Sequence, residues 1–267
     1  MKYYIYAFLI LFFIIIFYYG KSNHNRNKLV FYTCFFGGNN NIANKINNPP
    51  SLNYDCYFFT NNQNTYESLK NTNWIPIFVN IPIKKTLTEN AMDAKELKAC
   101  PHHFDILNKY EYTCYFDSKL YVLCNEVESM IDNILINNDY LYIIGRHPFI
   151  KPNIWNEYNE AMNQERYKIE KDKYYNYIMK QLNNGLKDTV ENHYQTGFII
   201  RRSSSKTNEI NELWYKHIKE CGIECQISFF FIQQIYHPHI YPINTYGYSS
   251  DNNFIYSIFH FLQQLLG

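Results

Sequence analysis

A succession of short apolar runs, each ended by glycine or polar residues, constrains the fold of this 267-residue chain more than any other feature. Residues 28–36 (KLVFYTCFF) stop at Gly37-Gly38, residues 54–60 (YDCYFFT) at Asn61-Asn62, and residues 112–116 (YTCYF) at Asp117-Ser118-Lys119. Runs this short and this rich in aromatic and β-branched residues read as buried strands. Residues 74–79 (WIPIFV), with Pro76 and then Pro82, suit an edge strand, because proline cannot donate to a sheet ladder. Residues 140–144 (YLYII) and 198–201 (FIIR) add further strands, and residues 120–122 read as a resumption of the 112–116 strand. Between them the pattern is helical over 88–108, with Thr88 as its cap, and over 126–136, 153–183 and 210–220. Residues 226–234 read as an apolar helix or strand, and residues 254–266 as an amphipathic helix. Strands alternating with helices predict an α/β fold with a mostly parallel sheet flanked by helices.

Residues 3–19 (YYIYAFLILFFIIIFYY) are uninterrupted apolar or aromatic, with tyrosines gathered at both ends as in an interfacial belt. This predicts an N-terminal transmembrane helix over 1–20, a short polar stem over 21–28 and a globular domain over 29–267. A cleaved signal peptide is the alternative, although no small-x-small cleavage site follows. At 18% charged and net +1 the chain lacks the basic footprint of a nucleic-acid binder, and 46% hydrophobic with 19% aromatic excludes a disordered tail. Of the seven cysteines, Cys34, Cys56 and Cys114 fall inside strand runs, where a free thiol packs as a small hydrophobe, and Cys221 and Cys225 fall four apart in a helical stretch. There is no C-x-x-C and no zinc-finger spacing, so a disulfide or finger framework is not expected.

The strand ends carry the residues that bear chemistry. Asp117 follows a five-residue apolar run, and a carboxylate there projects at the carboxyl end of a parallel strand, where open α/β sheets place ligands. Lys119 is a point charge for phosphate. Lys98 and His102, four apart, would share a helix face suited to a phosphate or hydroxyl, and Arg146 and His147 follow the 140–144 strand as a candidate clamp. Gly37 and Gly38 would let backbone approach a nucleotide, with Thr60 and Asn61 at the neighbouring strand end. His239, in a His-Pro-His run, is a weak candidate metal ligand beside Asp117. No G-x-G-x-x-G, Walker loop or G-x-S-x-G elbow is present.

Several short motifs occur in order: YTCFFGG at 32–38, YDCYFFTNN at 54–62, Lys98 with Pro101-His102, YFDSKL at 115–120, RHPF at 146–149, GFIIRR at 197–202, Leu213-Trp214 and CQISFF at 225–230. This succession resembles the glycosyltransferase-like family of the plant mucilage-related and turgor-regulating proteins, also found in bacteria and giant viruses. The resemblance implies a GT-A-like, Rossmann-type fold that binds a nucleotide sugar. On that reading Asp117 is a catalytic residue that holds the donor diphosphate or its manganese or magnesium ion, and Lys119, standing where a D-x-D signature has its second acid, meets the diphosphate directly. Gln226 matches the family's active-site glutamine and meets the sugar, and His102 joins the catalytic set. Two departures stand out: Cys225 replaces an acid before Gln226, and Asn61 another acid.

The expectation is a single-pass, type II-like membrane-anchored glycosyltransferase of the endoplasmic reticulum, Golgi or a viral membrane. Its acceptor would be a glycan, protein or lipid. The residues Lys21, Arg26 and Lys28 after the anchor favour instead a cytosolic domain. The alternatives are a lipid-active hydrolase of the alkaline-ceramidase kind and a degenerate sugar-binding membrane protein. Asp117→Asn is expected to weaken donor binding while leaving folding nearly unchanged.

Overall fold

The computed structural model describes residues 28–38 and 46–244. The expected N-terminal anchor, most of the stem and the helix expected over 254–266 lie outside these residues. Among the described residues no helix is long and apolar enough to cross a membrane.

The strands are β1 (Leu29–Phe35), β2 (Asp55–Thr60), β3 (Ile75–Phe78), β4 (Tyr112–Phe116), β5 (Tyr142–Arg146), β6 (Tyr194–Arg202) and β7 (Ile240–Ile243). They form one sheet in the order β3-β2-β1-β4-β6-β5-β7. Every pairing is parallel except those of β6, which runs antiparallel to both β4 and β5. The mostly parallel α/β fold expected from the sequence is present, made mixed by the reversed β6, with β3 at an edge and β4 at the centre.

The helices are α1 (Gln63–Leu69), α2 (Leu87–Ala99), α3 (Asp105–Asn108), α4 (Cys124–Met130), α5 (Ile154–Ala161), α6 (Glu165–Lys168), α7 (Lys171–Asn183), α8 (Ser205–Cys221) and α9 (Cys225–Tyr236). Side chains alternate across the strands as the two-residue period requires. Phe31, Phe58, Cys114, Phe116, Ile143 and Ile200 bury one face with α1 and α4. Tyr32, Phe59, Tyr142, Ile144 and Ile199 bury the other beneath α2, α8 and α9, where Leu97, Trp214, Ile218 and Phe229 meet them.

Several boundaries differ from the sequence reading. Thr86 rather than Thr88 caps α2, in a reciprocal capping box with Glu89. The helix expected over 88–108 breaks at Cys100, because Pro101 cannot donate to it and opens a 3-10 turn over Pro101–His103. Residues 120–122 do not resume a strand. Cys221 and Cys225 belong to different helices, separated by Gly222 with φ 123°. None of the seven cysteines is paired.

Candidate active site

Antiparallel β6 lays its amino end against the carboxyl end of β4, with Phe116 opposite Phe198. The Asp117 backbone N–H donates to the Gly197 carbonyl at 2.8 Å. A side chain at position 197 would bring its Cβ within 3.1 Å of Asp117 Oδ2, so glycine there leaves the carboxylate its place. Asp117 Oδ1 accepts from the Tyr115 hydroxyl at 2.8 Å and from Lys98 Nζ at 3.5 Å. The Lys98 side chain is 4% exposed and that of Asp117 37%, so a buried ammonium backs a carboxylate that still reaches solvent. Burial raises the Asp117 pKa, but Lys98 and then Lys95 outweigh it, helped by Tyr115 and Lys119, and hold it below the usual carboxylate value.

Asp117 opens into a cleft of about 510 Å³ walled by α2, the turn after β5, α5, α6, the start of β6 and the amino end of α9. Lys95 Nζ donates to Cys225 Sγ at 3.3 Å, and Thr196 Oγ1 lies 3.1 Å from the same sulfur. Burial lowers the Lys95 pKa, but Cys225, Glu224 and Asp117 raise it above its ordinary value. Glu157, fully enclosed, binds His193 Nε2 at 2.6 Å and accepts from Gln226 Nε2 at 2.9 Å. Glu224 caps α9 by accepting from the Gln226 N–H at 3.1 Å. Its burial, and then the charge of Glu157, raise its pKa against the pull of Lys95, Tyr167 and that N–H. His147 Nδ1 accepts from the N–H groups of Phe149 and Ile150, at 3.3 and 3.0 Å. Burial lowers its pKa and His193 adds to this, against Glu157, so the ring is held neutral with Nε2 carrying the proton.

The structure thus brings together Asp117, Lys98, Lys119, His147 and Gln226 along one cleft. It separates others. His102 lies past the break at Pro101, bonded to Glu212, and lines a different cleft with Thr113 and Arg201 near the start of β4. It therefore shares no face with Lys98. Arg146 is held by Asn192 and Asn244 at 2.5 and 3.1 Å and lies outside the Asp117 cleft. His239 immediately precedes β7 and its carbonyl accepts from the Leu141 N–H, at the amino edge of the sheet, so it cannot share an ion with Asp117 at the carboxyl edge. Gly37, Gly38, Thr60 and Asn61 do cluster at the carboxyl ends of β1 and β2, but Asn61 Oδ1 is taken by the Gly37 N–H at 2.8 Å. Gly37 has φ 85°, and a Cβ there would collide with Asn90 at 2.4 Å, so this loop admits only glycine.

A divalent metal fits the Asp117 site poorly. Hard cations take several oxygen ligands, whereas Asp117 stands among the ammonium groups of Lys95, Lys98 and Lys119 and already accepts two hydrogen bonds on Oδ1. Among the described residues it belongs to no group of three side chains able to share an ion.

Sequence reasoning missed Lys95, Glu157, Arg166 and Glu224. Two signals were available: Lys95 is one helical turn before Lys98, and Glu224 adjoins Cys225-Gln226. Nothing in the spacing of Glu157 or Arg166 pointed to the cleft.

The TOD1/MUCI70, glycosyltransferase-like domain matches residues 19–260, and the chain belongs to that family. No curated protein matches it. Among solved structures it is similar to mouse xyloside xylosyltransferase 1 in its apo form, at 9% identity and TM-score 0.47, over 81% of this chain and 85% of that one. It is also similar to the mannosyltransferase Ktr4p of S. cerevisiae, at 12% identity and TM-score 0.40, over 78% and 66%. A third is a glycosyltransferase involved in glycosylation of the major capsid of PBCV-1, at 10% identity and TM-score 0.39, over 81% of each chain.

Proposed function

We propose that this protein transfers a glycosyl group from a nucleotide-diphosphate sugar to a hydroxyl of a glycan, protein or lipid, and that residues 3–19 anchor it in a membrane. The observation that carries the reading is the Asp117 carboxylate, backed by buried Lys98, at the carboxyl end of the central strand in a polar cleft. Membership of a glycosyltransferase-like family supports it.

In this reading the exposed Lys119 and Arg166 meet the diphosphate at the cleft mouth. Charge grows on the leaving diphosphate in the transition state, and the exposed cations at the mouth, with buried Lys98 behind them, stabilise it. Asp117 Oδ2 and the Gln226 amide orient sugar hydroxyls, and His147 offers its Nε2–H. Glu224, whose pKa is raised, takes the acceptor proton, so the carboxylate absent at position 225 is supplied one residue earlier. His102 and His239 stand apart from Asp117, so the three cannot together hold a hydrolytic metal for the lipid-active hydrolase.

Thermal-shift titration of the full chain with a panel of nucleoside diphosphates and their sugars tests the proposal. At least one nucleotide is expected to raise the melting temperature, with the shift abolished in a Lys119→Ala, Arg166→Ala double variant. Indifference to every nucleotide overturns it.

A further inference from the structure

Just past the end of α2, four side chains, three from Cys100 and the 3-10 turn and one from α8, converge outside the cleft. Cys100 Sγ, a ring nitrogen of His102, one of His103 and a carboxylate oxygen of Glu212 all lie within 4.8 Å of one another. Cys100 is fully buried, His102 and His103 are partly covered, and Glu212 is half exposed. Pro101 creates this geometry, since the 3-10 turn it opens folds His102 and His103 back over Cys100. Both Nε2 atoms then point at the same Glu212 oxygen, at 3.0 and 2.5 Å, with the rings 4.6 Å apart.

We propose that Cys100, His102, His103 and Glu212 form a binding site for a transition-metal dication of the zinc type. The donor set decides the class. One thiolate, two imidazoles and one carboxylate suit borderline ions and disfavour magnesium or calcium, which select all-oxygen shells. Zinc bonds of about 2.0–2.3 Å set tetrahedral donors roughly 3.3–3.8 Å apart, so the shell closes by small rotations of the exposed Glu212 and His103.

A second layer is already in place. His103 Nδ1 lies 3.0 Å from Glu96 Oε1, the carboxylate–histidine arrangement that fixes the tautomer and presents Nε2 to a metal. Glu96 is itself steadied by the Tyr215 hydroxyl at 3.5 Å. Cys100 Sγ lies 3.4 Å from the Asn211 carbonyl, so its thiol proton is directed away from the centre of the cluster. Binding releases to solvent both the thiol proton and the Nε2 proton that His103 donates to Glu212, and leaves a thiolate and a neutral imidazole on the metal. The bound ion would tie the end of α2 to α8, and α2 carries Lys95 and Lys98 into the Asp117 cleft.

The test uses the full chain, solubilised in detergent, stripped with a chelator and titrated with zinc and with cobalt as a spectroscopic probe. Expected are one tightly bound equivalent of zinc and a cobalt spectrum with tetrahedral bands and a thiolate-to-cobalt charge-transfer band. Cys100→Ser should abolish that band. Because Cys100 is buried and this variant could misfold, His103→Ala and Glu212→Gln serve as independent probes at more exposed positions. Each should weaken zinc affinity by about tenfold or more, as should Glu96→Gln. Absence of binding, a cobalt spectrum lacking the charge-transfer band, or an affinity unchanged in both His103→Ala and Glu212→Gln overturns the proposal.

Discussion

In the cleft, the Asp117 carboxylate is met by Lys98 and Tyr115 and lies close enough to Lys95 and Lys119 for their charges to lower its pKa. Just past the last turn of α2, two imidazoles and a thiol surround the Glu212 carboxylate, and among the described residues no lysine is bonded to it. The first region carries the countercharge of its carboxylate in its own side chains, which is why the proposed ligand there is an anion. The second gathers a thiol, two imidazoles and a carboxylate around a common point, the donor set from which the proposed cation would displace protons. The difference teaches that a carboxylate's neighbours, more than the carboxylate, decide whether a site takes an anion or a metal.

The largest effect should come from Glu224→Gln, which keeps the shape of the α9 cap but removes the base. Transfer should fall by about 10²–10⁴. An acid whose folded pKa is raised costs stability once pH exceeds its unfolded value, so removing it should leave the melting temperature equal or higher at neutral pH. Zinc affinity should not move. Asp117→Asn comes next. Donor binding should weaken by about 2–3 kcal/mol, measured calorimetrically. The expectation that folding would be untouched needs revision, because the substitution strips buried Lys98 of its bonded carboxylate, and the melting temperature should also drop.

Thr86→Ala probes the helix that joins the two regions. Losing the capping box should cost about 1 kcal/mol by chemical denaturation while zinc affinity stays unchanged. A fall in zinc affinity as well would mean the two regions are not separable. The smallest effect is that of pH on His147. Its folded pKa is depressed, so its contribution is complete above about pH 6.5 and declines as pH falls below that value. Protonation would also break the two backbone bonds that Nδ1 accepts. Melting temperatures measured across this range should decline less steeply in His147→Gln.

The strands were legible because their chemistry is local: an apolar run and its polar stop are both visible in one window, as at 112–116 with Asp117. The missing strand β7 (IYPI) and helix α1 were not, since each is short and takes its form from the neighbour it pairs with or packs against. Asp117, Lys119, His147 and Gln226 could be read from strand ends and motif order. Pro101 was noticed, yet its effect on the Lys98–His102 spacing was decided by a helix break that periodicity does not report. The cysteine–histidine cluster was hidden for another reason. Cys100, His102 and His103 are adjacent in sequence, but Glu212 lies 109 residues from His103 and only the packing of α8 on α2 brings it near.

The reversed direction of β6 has a consequence for how such a protein can diversify. Arg146, the last residue of β5, pairs with Tyr194, the first of β6, so residues 147–193 leave and rejoin the sheet at adjacent points. Topologically that stretch is one long hairpin excursion, and it carries α5, α6 and α7 with Glu157 and Arg166 on the cleft wall. Closing a longer loop costs only slowly more entropy, so the exposed turns of the excursion can lengthen, whereas α5, α6 and α7 are fixed by the core they share with α8 and α9. Insertions at these exposed turns would leave the strand register and the Asp117 corner as they are.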